Sequence, residues 1–452
     1  MIDLNDFKNS YANIYRSEKY SSQNKLLKSK NESYASSVAV EDHQNTLLIN
    51  QEEYSIQRIV RNWFDKGSIN YNSQIGTHPD FKEIEGTENY VKQHITTIFV
   101  DIKNSTRLSL IYPIEDVFQI KNSILRAASE LVRAMDGHVH RFMGDALMAY
   151  FGNSQKSKES SIMEAISCAS MLRIFMSESV LPFLREHFDE EFDIGFRVGI
   201  DFGEDDEILW ASYGYGNVTE VTATSFFVDV ASKLQSLASK DQIMIGDNLL
   251  KFIDFTDIFH KIKTKVVDGR EIEIPLLKPN YSLKNGAKLN YNIRQLSQEN
   301  FIEVLPIPTP IKSKYSNKII NNNSVSFQAF ITNTSNKREF YPSISRCLEK
   351  NTDIEFVLKI NRSGFNQEKF PLKYKFTKKN YGIEANNENS LEPEIKTGNV
   401  IFQKNNLTHQ YSPATAIFSR STAYRGLHTV NAQIIDNQGQ VLYSEVIGIH
   451  VK

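Results

Sequence analysis

The sequence predicts an α+β fold, in which a ferredoxin-like domain is followed by an all-β sandwich. Residues 91–280 alternate strand-like and helix-like patterns in the order β-α-β-β-α-β, with additions. Residues 325–452 carry short alternating strands separated by polar turns, which is typical of a sandwich. The chain of 452 residues is long enough for two or three domains with cores of their own.

Apolar spacing defines the elements of the first domain. The run TTIFVDI (96–102) is β-rich, as a buried strand would be, and residues 114–135 repeat apolar side chains every three or four positions before Gly137. HVHRF and ALMAYFG flank a turn at 143–145, which indicates a hairpin. FDIGFRVGIDF (192–202) alternates and predicts a half-buried strand. Further elements are expected as a strand at 207–212, a Gly/Tyr loop after it, and helices at 159–176 and 226–239.

The remaining regions differ in amino-acid composition. Residues 1–90 are polar, with one or two helices, one of them around 51–64. Residues 281–324 contain PIPTP and an Asn-rich run, so we expect a linker that buries little. The segment 325–452 ends in a hairpin that turns at Asn437-Gln438-Gly439.

Composition excludes several classes of function. A formal net charge of −2 argues against a nucleic-acid coat or a polybasic membrane anchor, so we expect no direct nucleic-acid binding. The start of the chain lacks the pattern of a signal peptide, and no run of 18 apolar residues predicts membrane insertion. Two cysteines far apart fit a reducing compartment. We therefore expect a cytoplasmic protein.

Two aspartates carry the chemistry that the sequence suggests. Asp101 ends the strand 96–102, and Asp145 lies in the turn between two others. Alone, each is more often a polar residue at a strand end than a ligand. Neighbouring strands would bring both carboxylates to one site, where they can hold two Mg²⁺ or Mn²⁺ ions beside substrate phosphates. The main-chain carbonyl of Ile102 is a further candidate ligand.

The motifs around these aspartates resemble a known family. FVDIKNSTRLS (99–109) and HRFMGDALMAYFG (140–152) are similar to the first metal motif and the Gly-Asp turn of class III adenylate/guanylate cyclases. The resemblance covers roughly residues 92–250. It implies cyclisation of a nucleoside triphosphate to a 3′,5′-cyclic monophosphate, with Asp101 and Asp145 as ligands of two Mn²⁺ or Mg²⁺ ions per site. It also implies a homodimer with active sites between the two cyclase domains.

The chain departs from the adenine-specific members of that family. Arg141 stands where they have a lysine that reads adenine, and Thr222 stands where they have an aspartate. A donor-only arginine suits the acceptors of uracil; cytosine adds an amino donor that faces a guanidinium badly, and guanine would also fit. Asp229 and Lys233 replace the family's Asn and Arg. On one interpretation the two side chains form a surface ion pair. On the other, Asp229 is an acceptor that orients the ribose or a lysine, and Lys233 is a cation for the phosphates.

These departures, together with the C-terminal region, resemble the pyrimidine nucleotide cyclases of the Pycsar antiphage systems. The resemblance implies conversion of UTP to cyclic UMP as a signal in phage infection, read by a downstream effector that the cyclic nucleotide activates. The alternatives are a cytidylate cyclase, a guanylate cyclase and a non-catalytic nucleotide-binding regulator. His94 could supply a ring that narrows the base pocket, although a lone histidine there is more often incidental.

The segment TAYRGLHTVNAQI (422–434) is similar to the sensor domain at the C-terminus of cyclases and nucleotidyltransferases in antiphage operons. Its polar residues Tyr424, Arg425 and His428 are either part of a sensing site or a packed cluster at the edge of the sandwich.

Overall fold

The computed structural model describes residues 4–30, 54–188, 190–215, 218–278, 281–332, 337–404 and 410–452, with side chains from 4–17 in the first of these ranges. The chain divides into two compact units. The first unit takes in residues 1–62, 66–249 and 262–295, and the second takes in 63–65, 250–261 and 296–452.

Helices and strands alternate through the first part of the chain. The helices are α1 (Leu4–Lys30), α2 (Ser55–Trp63), α3 (Ser105–Ile111), α4 (Ile114–Ala134), α5 (Lys158–Phe175), α6 (Leu181–His187), α7 (Phe226–Leu237) and α8 (Asp247–Phe252). The strands are β1 (Tyr90–Lys92), β2 (Ile95–Lys103), β3 (His138–Met143), β4 (Ala146–Phe151), β5 (Gly195–Gly203), β6 (Leu209–Tyr215), β7 (Val218–Thr224), β8 (Gln242–Gly246), β9 (His260–Lys261), β10 (Lys263–Val267), β11 (Arg270–Ile274) and β12 (Ile293–Leu296).

The main sheet of the first unit has the neighbour order β3-β4-β2-β5-β8-β12. The four strands β3, β4, β2 and β5 are antiparallel neighbours, and β8 joins β5 in parallel. Helix α4 connects β2 to β3, and α5 and α6 connect β4 to β5. This is the ferredoxin-like connection of strands and helices. The predicted α+β class is confirmed.

Strand β5 is buried on both faces, because helices α5 and α7 both pack against it. The prediction of a half-buried strand was therefore wrong: clean alternation at even positions hid the fact that small Gly195 and Gly199 occupy the other face. A Cβ at Gly199 would overlap the main chain of Ala231 and Gln235 in α7. The glycine therefore lets the backbone of α7 lie directly on the strand.

The predicted Gly/Tyr loop after Ser212 is instead the end of a hairpin. Strands β6 and β7 pair from Leu209 with Thr224 to Tyr215 with Val218, and β1 adds a third strand at the edge of this second sheet. Aromatic and β-branched side chains continue the pairing past the point where glycines suggested a loop.

One continuous helical stretch, Lys158–His187, is long and apolar enough to cross a membrane by length and composition. Of its most apolar window, 78% is buried inside the fold. A core helix passes the same test, and the contacts of α5 with α4, β2, β4 and β5 show that it packs as one. A π-helical turn, Met176–Val180, separates α5 from α6 within this stretch.

The second unit is built around a β-sandwich. One sheet has the order β14-β13-β16-β19 and the other the order β15-β21-β20-β17-β18. Their facing side chains form one core, in which the rings of Phe376 and Phe418 stack at 5.5 Å. The predicted sandwich is confirmed. Its strands are β13 (Val325–Thr332), β14 (Arg338–Tyr341), β15 (Cys347–Leu348), β16 (Asp353–Ile360), β17 (Lys373–Lys379), β18 (Glu394–Asn399), β19 (Ala414–Ser421), β20 (Gly426–Ile435) and β21 (Val441–Val451).

The expectation of an unpacked linker at 281–324 was wrong. Strand β12 and the helices α9 (Gln298–Val304) and α10 (Thr309–Tyr315) lie within it. Phe301, Ile302 and Ile311 are fully buried. Prolines and asparagines mark the ends of these short helices, and the brief apolar runs between them were too short to show helical periodicity. A last short helix, α11 (Ile383–Asn387), follows β17.

The three polar residues noted in 422–434 have packing partners within the second unit. The Tyr424 hydroxyl bonds Ser390 at 2.7 Å, and His428 accepts from the Tyr381 amide at 3.1 Å. The Arg425 guanidinium donates to the carbonyl of Phe252. Burial lowers the pKa of His428, so its ring is neutral near pH 7.

Candidate active site

Asp101 lies near the end of β2, where a salt bridge holds its carboxylate. Asp101 and Arg197 face each other across the β2–β5 ladder. Arg197 Nε and Nη2 both donate to Asp101 Oδ2, at 2.8 and 2.5 Å. Both bonds go to the same oxygen, so Oδ1 has no partner among the residues the structure describes. The guanidinium therefore orients the carboxylate without using all of its ligand capacity.

Asp145 occupies the β3–β4 turn, at the same end of the sheet. Ala146, the next residue, pairs with Asp101, and the Ile102 amide donates to the Asp145 carbonyl at 3.2 Å. The Ser105 hydroxyl hydrogen-bonds Asp145 Oδ2, and Lys121 Nζ lies 3.7 Å from the same oxygen. The structure thus brings the two predicted carboxylates together, as the order of the strands requires.

The donor set at this end of the sheet fits divalent metal ions. Asp101 and Asp145 each keep one carboxylate oxygen without a partner in the described part of the chain, and the main-chain carbonyl of Ile102 is a third oxygen donor nearby. Within the described ranges no group of three or more His, Cys, Asp or Glu side chains forms a closed metal cage. Two carboxylates with positions left for phosphate and water match how Mg²⁺ is held beside nucleotides.

Arg141 projects from β3 and forms an ion pair with Glu220 on β7. Its side chain is 46% exposed, and that of Glu220 is 33% exposed. A donor fork and a carboxylate acceptor therefore lie side by side at an accessible position. The sequence pointed to the arginine through its distance from Asp145, but nothing in the sequence linked Glu220 to it.

Thr222 belongs to the same cluster. It lies two residues from Glu220 on β7, and its hydroxyl is 3.3 Å from the hydroxyl of Tyr150 on β4. Tyr150 also accepts from the Ala223 amide at 3.4 Å, and burial raises the pKa of its phenol to about 12. The tyrosine therefore stays protonated and anchors β7 against the main sheet.

Asp229 and Lys233 share a face of α7 without bonding to each other. Lys233 Nζ donates to the Tyr281 hydroxyl and lies 4.4 Å from the centre of that ring. Asp229 is exposed, and the described residues give it no ion pair. The surface ion pair that was one of the two interpretations is therefore not formed. Tyr281 is a partner of Lys233 that the sequence did not suggest.

His94 lies away from the other predicted site residues. It precedes β2, about 23 Å from Asp101 at 3.3 Å per residue along the extended chain. Its main-chain amide and its Nδ1 both bond Asp205 Oδ1 at 2.8 Å. The structure does not bring His94 to Arg141 or to the aspartates, and the ring is held as a buried partner of Asp205.

Comparison with known proteins identifies the family. Residues 87–275 match the adenylate and guanylate cyclase catalytic domain, and residues 298–452 match the adenylyl/guanylyl and SMODS C-terminal sensor domain. A cytidylate cyclase of Escherichia coli is 38% identical over 407 residues, which are 88% of this chain and 88% of that protein. The chain belongs to the pyrimidine-type class III nucleotide cyclases. This cyclase therefore carries a catalytic domain and a sensor domain.

More distant relatives of the cyclase are named for different bases. A cytidylate cyclase of Staphylococcus aureus is 31% identical over 87% of this chain and 86% of its own length. A uridylate cyclase of Burkholderia cepacia is 24% identical over 39% of this chain and 74% of its own length. Among solved structures, the adenylyl cyclase CyaB of P. aeruginosa is 20% identical, with 46% of this chain and 95% of that chain covered and a TM-score of 0.36.

Proposed function

We propose that the cyclase converts CTP to 3′,5′-cyclic CMP and pyrophosphate, with UTP as the alternative substrate. In this reaction the ribose 3′-oxygen bonds to the α-phosphorus, and the bond from that phosphorus to the oxygen bridging to the β-phosphate breaks. Pyrophosphate leaves, and the hydroxyl proton passes to solvent. The ion pair between Arg141 and Glu220 is the observation that supports cytosine as the preferred base.

The ion pair supplies both halves of a pyrimidine contact. Cytosine offers the acceptors O2 and N3 beside an amino donor. Arg141 alone disfavours that amino group, which is why the sequence favoured uracil. Glu220 gives the amino group a carboxylate acceptor next to the guanidinium, so the objection to cytosine no longer holds. The named function of the Escherichia coli and Staphylococcus aureus relatives supports the same base.

Uridylate cyclase activity is the second candidate. Arg141 can donate to O2 or O4 of uracil, and that contact does not need the carboxylate of Glu220. The Burkholderia cepacia relative supports this reading over a smaller part of the chain.

Asp101, Asp145 and the Ile102 carbonyl would hold the two Mn²⁺ or Mg²⁺ ions of the site. When bound, these ions neutralise phosphate charge and polarise the reacting oxygens. The protein side chains position what the ions act on. Arg197 fixes the carboxylate of Asp101, and Ser105 and Lys121 fix that of Asp145. Lys233 is the candidate cation for the phosphates, once it leaves Tyr281.

The active form would be a homodimer with shared active sites. Large apolar side chains are exposed at several places on the first unit, and two of these places adjoin the proposed site. Leu110, Phe118, Phe142 and Met143 lie on α3, α4 and β3, next to the strand ends that carry Asp101 and Asp145, and Tyr213, Tyr215 and Val218 lie on the β6–β7 hairpin that carries Glu220. Exposed apolar patches of this kind are typical of an interface. Tyr215→Asp with Val218→Asp should yield a monomer in light scattering, whereas Val266→Asp with Ile272→Asp, on the exposed β10–β11 hairpin, should not.

A signalling role follows from the presence of a sensor domain on the same chain. The cyclic pyrimidine nucleotide would report phage infection and activate a downstream effector that binds it. Nucleoside triphosphates are abundant in the cytoplasm and the apolar helix Lys158–His187 is 78% buried over its most apolar window, so we place the protein in the cytoplasm.

Purified protein should be incubated separately with CTP, UTP, GTP and ATP in the presence of Mn²⁺, and the products separated by chromatography. Cyclic CMP as the main product is expected, and cyclic UMP as the main product would favour the second candidate. Cyclisation of GTP alone would establish the guanylate alternative. If no nucleotide is cyclised and Asp101→Ala leaves the in-cell phenotype unchanged, the chain is a non-catalytic regulator.

A further inference from the structure

The second unit contains a polar cleft of about 650 Å³, which is within the range of small-molecule sites. Its floor is the outer face of the sheet formed by β17, β20 and β21. Lys375 pairs with Gln433 across the ladder, and Thr377 pairs with Asn431. The alternate residues on these strands, such as Phe376 and Ala432, face the sandwich core instead. The floor is therefore wholly polar along two strands.

Helix α9 and the segment that follows α10 form a wall of the cleft, so this polar sheet face is partly covered. Asn300 and Glu303 come from the helix, and Lys318 comes from the segment. Lys318 Nζ is 3.1 Å from Glu303 Oε1 and 2.9 Å from Asn300 Oδ1, so this wall is internally paired. Phe259 and Tyr381 close one end, with their rings edge to face at 6.5 Å.

The floor carries charge that the protein does not neutralise. Lys375 is half-buried and Lys379 is exposed, and neither has an ion pair with any residue that the structure describes. Three lysines and one glutamate line the cleft, which gives it a net charge of +2. The two lysines project from the same face of β17, about 13 Å apart along the strand, so an anion placed over Thr377 between them would be within reach of both amines.

Two amides lie next to these lysines. Asn431 Nδ2 donates to Ser444 Oγ at 3.1 Å and to the Glu445 carbonyl at 3.2 Å, which leaves its Oδ1 without a partner in the described chain. Gln433 has no side-chain hydrogen bond to any described residue. The Asn431 Oδ1 can accept a hydrogen bond from a sugar hydroxyl, and the Gln433 amide can donate one to a phosphate oxygen. Tyr381 supplies an aromatic face.

We propose that this cleft binds a nucleotide as the ligand of the sensor domain. The base packs at the Tyr381 end, and the phosphates lie along β17 between Lys379 and Lys375, with Asn431 and Gln433 beside them on β20. Two cations, amide groups that keep free hydrogen-bonding atoms and an aromatic ring within one cleft of this size match the parts of a nucleotide better than those of a peptide or lipid. The site belongs to the second unit and does not depend on which base the catalytic unit cyclises.

The test is calorimetric binding to the full chain carrying Asp101→Asn and Asp145→Asn, in EDTA, so that turnover is abolished. ATP, CTP, cyclic CMP and inorganic pyrophosphate are titrated separately. In the same background, Lys375→Gln with Lys379→Gln should weaken binding of the tightest nucleotide by about tenfold or more, because two charge-assisted contacts are lost. Lys373→Gln, an exposed lysine of the same strand outside the cleft, should change it by less than about twofold.

Three results would overturn the proposal: no nucleotide binds, the double lysine variant binds as tightly as its parent, or Lys373→Gln weakens binding equally. Pyrophosphate binding as tightly as every nucleotide would overturn the assignment of a base end. Tyr381→Leu checks that end separately. Cyclase activity of the lysine variants with intact Asp101 and Asp145 shows that they fold, and it keeps this result separate from the outcome of the nucleotide assay.

Discussion

The two ends of the catalytic unit differ in how far their side chains are already paired within the protein. At the metal end, Asp101 and Asp145 each have one oxygen bonded to protein groups and one left over. At the base end, the Arg141 fork already has an acceptor in Glu220, and Thr222 already has a partner in Tyr150. The metal end is incomplete without ligands from outside. The proposed base end is an ion pair that has already formed, and a bound base would have to match or displace it.

The largest effect should come from the metal end. Asp101→Ala removes a ligand that no neighbouring carboxylate can replace, so kcat/KM should fall by about a thousandfold, or roughly 4 kcal/mol of transition-state stabilisation. Asp206→Asn, an exposed acid of the same unit, should leave turnover unchanged. Steady-state kinetics with Mn²⁺ measures both. Equal losses in the two variants would mean that charge, rather than ligation, is what Asp101 contributes.

Mixing variants would test whether the two ends serve different active sites. Asp101→Asn lacks the metal end and Arg141→Ala lacks the base end, so each homodimer should be inactive or strongly impaired. In a random mixture half of the dimers are mixed, and each mixed dimer has one intact site, so about a quarter of the wild-type activity should return. The readout is product formation before and after mixing. No gain on mixing would show that each protomer completes its own site.

The base end should give a smaller and more selective effect. Glu220→Met removes the acceptor beside Arg141, so kcat/KM for CTP should fall about tenfold relative to that for UTP, or about 1.4 kcal/mol. The competition assay contains both nucleotides in one reaction. Glu273→Met, on an exposed strand of the β10–β11 hairpin, is the matched control. A fall of equal size for both nucleotides would assign Glu220 to positioning Arg141 rather than to choosing the base.

A third carboxylate, Asp201 on β5, differs from Asp101 and Asp145 because it is fully buried. Tyr291 donates to its Oδ2, and burial raises the pKa of Asp201 to about 7. The folded chain then keeps a proton that the unfolded chain, with a pKa of 3.8, has released, so this group's contribution to stability falls as pH rises from about 4 to 7.

Asp201→Asn should remove this pH dependence. The effect of the substitution on the free energy of unfolding should therefore be more favourable at pH 8 than at pH 5, by roughly 1–3 kcal/mol. Urea unfolding of both proteins at the two pH values gives the difference. The buried histidines, whose lowered pKa values act in the opposite direction, are common to both proteins and cancel. An unchanged difference between the two pH values would show that Asp201 stays ionised in the fold.

Local patterns in the sequence were enough to predict that Asp101 and Asp145 lie at the same end of the sheet. Asp101 and Asp145 lie in short motifs, and the strand order that joins them follows from the β-α-β-β pattern. The base end could be predicted only in part, because Glu220 meets Arg141 through a hairpin, and Gly214 in β6 made that part of the sequence resemble a loop. The partner of Asp101, Arg197, is opposite it only in one register of β2 and β5, and register is a property of the folded sheet.

The region 281–324 shows a different limit. Its prolines and asparagines were read as a sign of a linker, yet Phe301 and Ile311 are fully buried. Helices of seven residues hold too few turns to display periodicity, and they form because the second unit provides a surface for them. The composition of a segment does not show whether its few apolar side chains will be buried against a neighbouring part of the fold.

Gly199 has a consequence for the dimer as a whole. Its missing side chain places α7, which carries Asp229 and Lys233, directly on the strand that carries Arg197. If active sites are shared, that strand supports the metal end of one site and the helix supports the phosphate contacts of the other. A displacement of either element would then be transmitted through a single backbone contact to the opposite site. The two reactions of such a dimer would be mechanically coupled, and one added methyl group at Gly199 would displace α7, with Asp229 and Lys233, while Asp101 and Asp145 stay on their own strands.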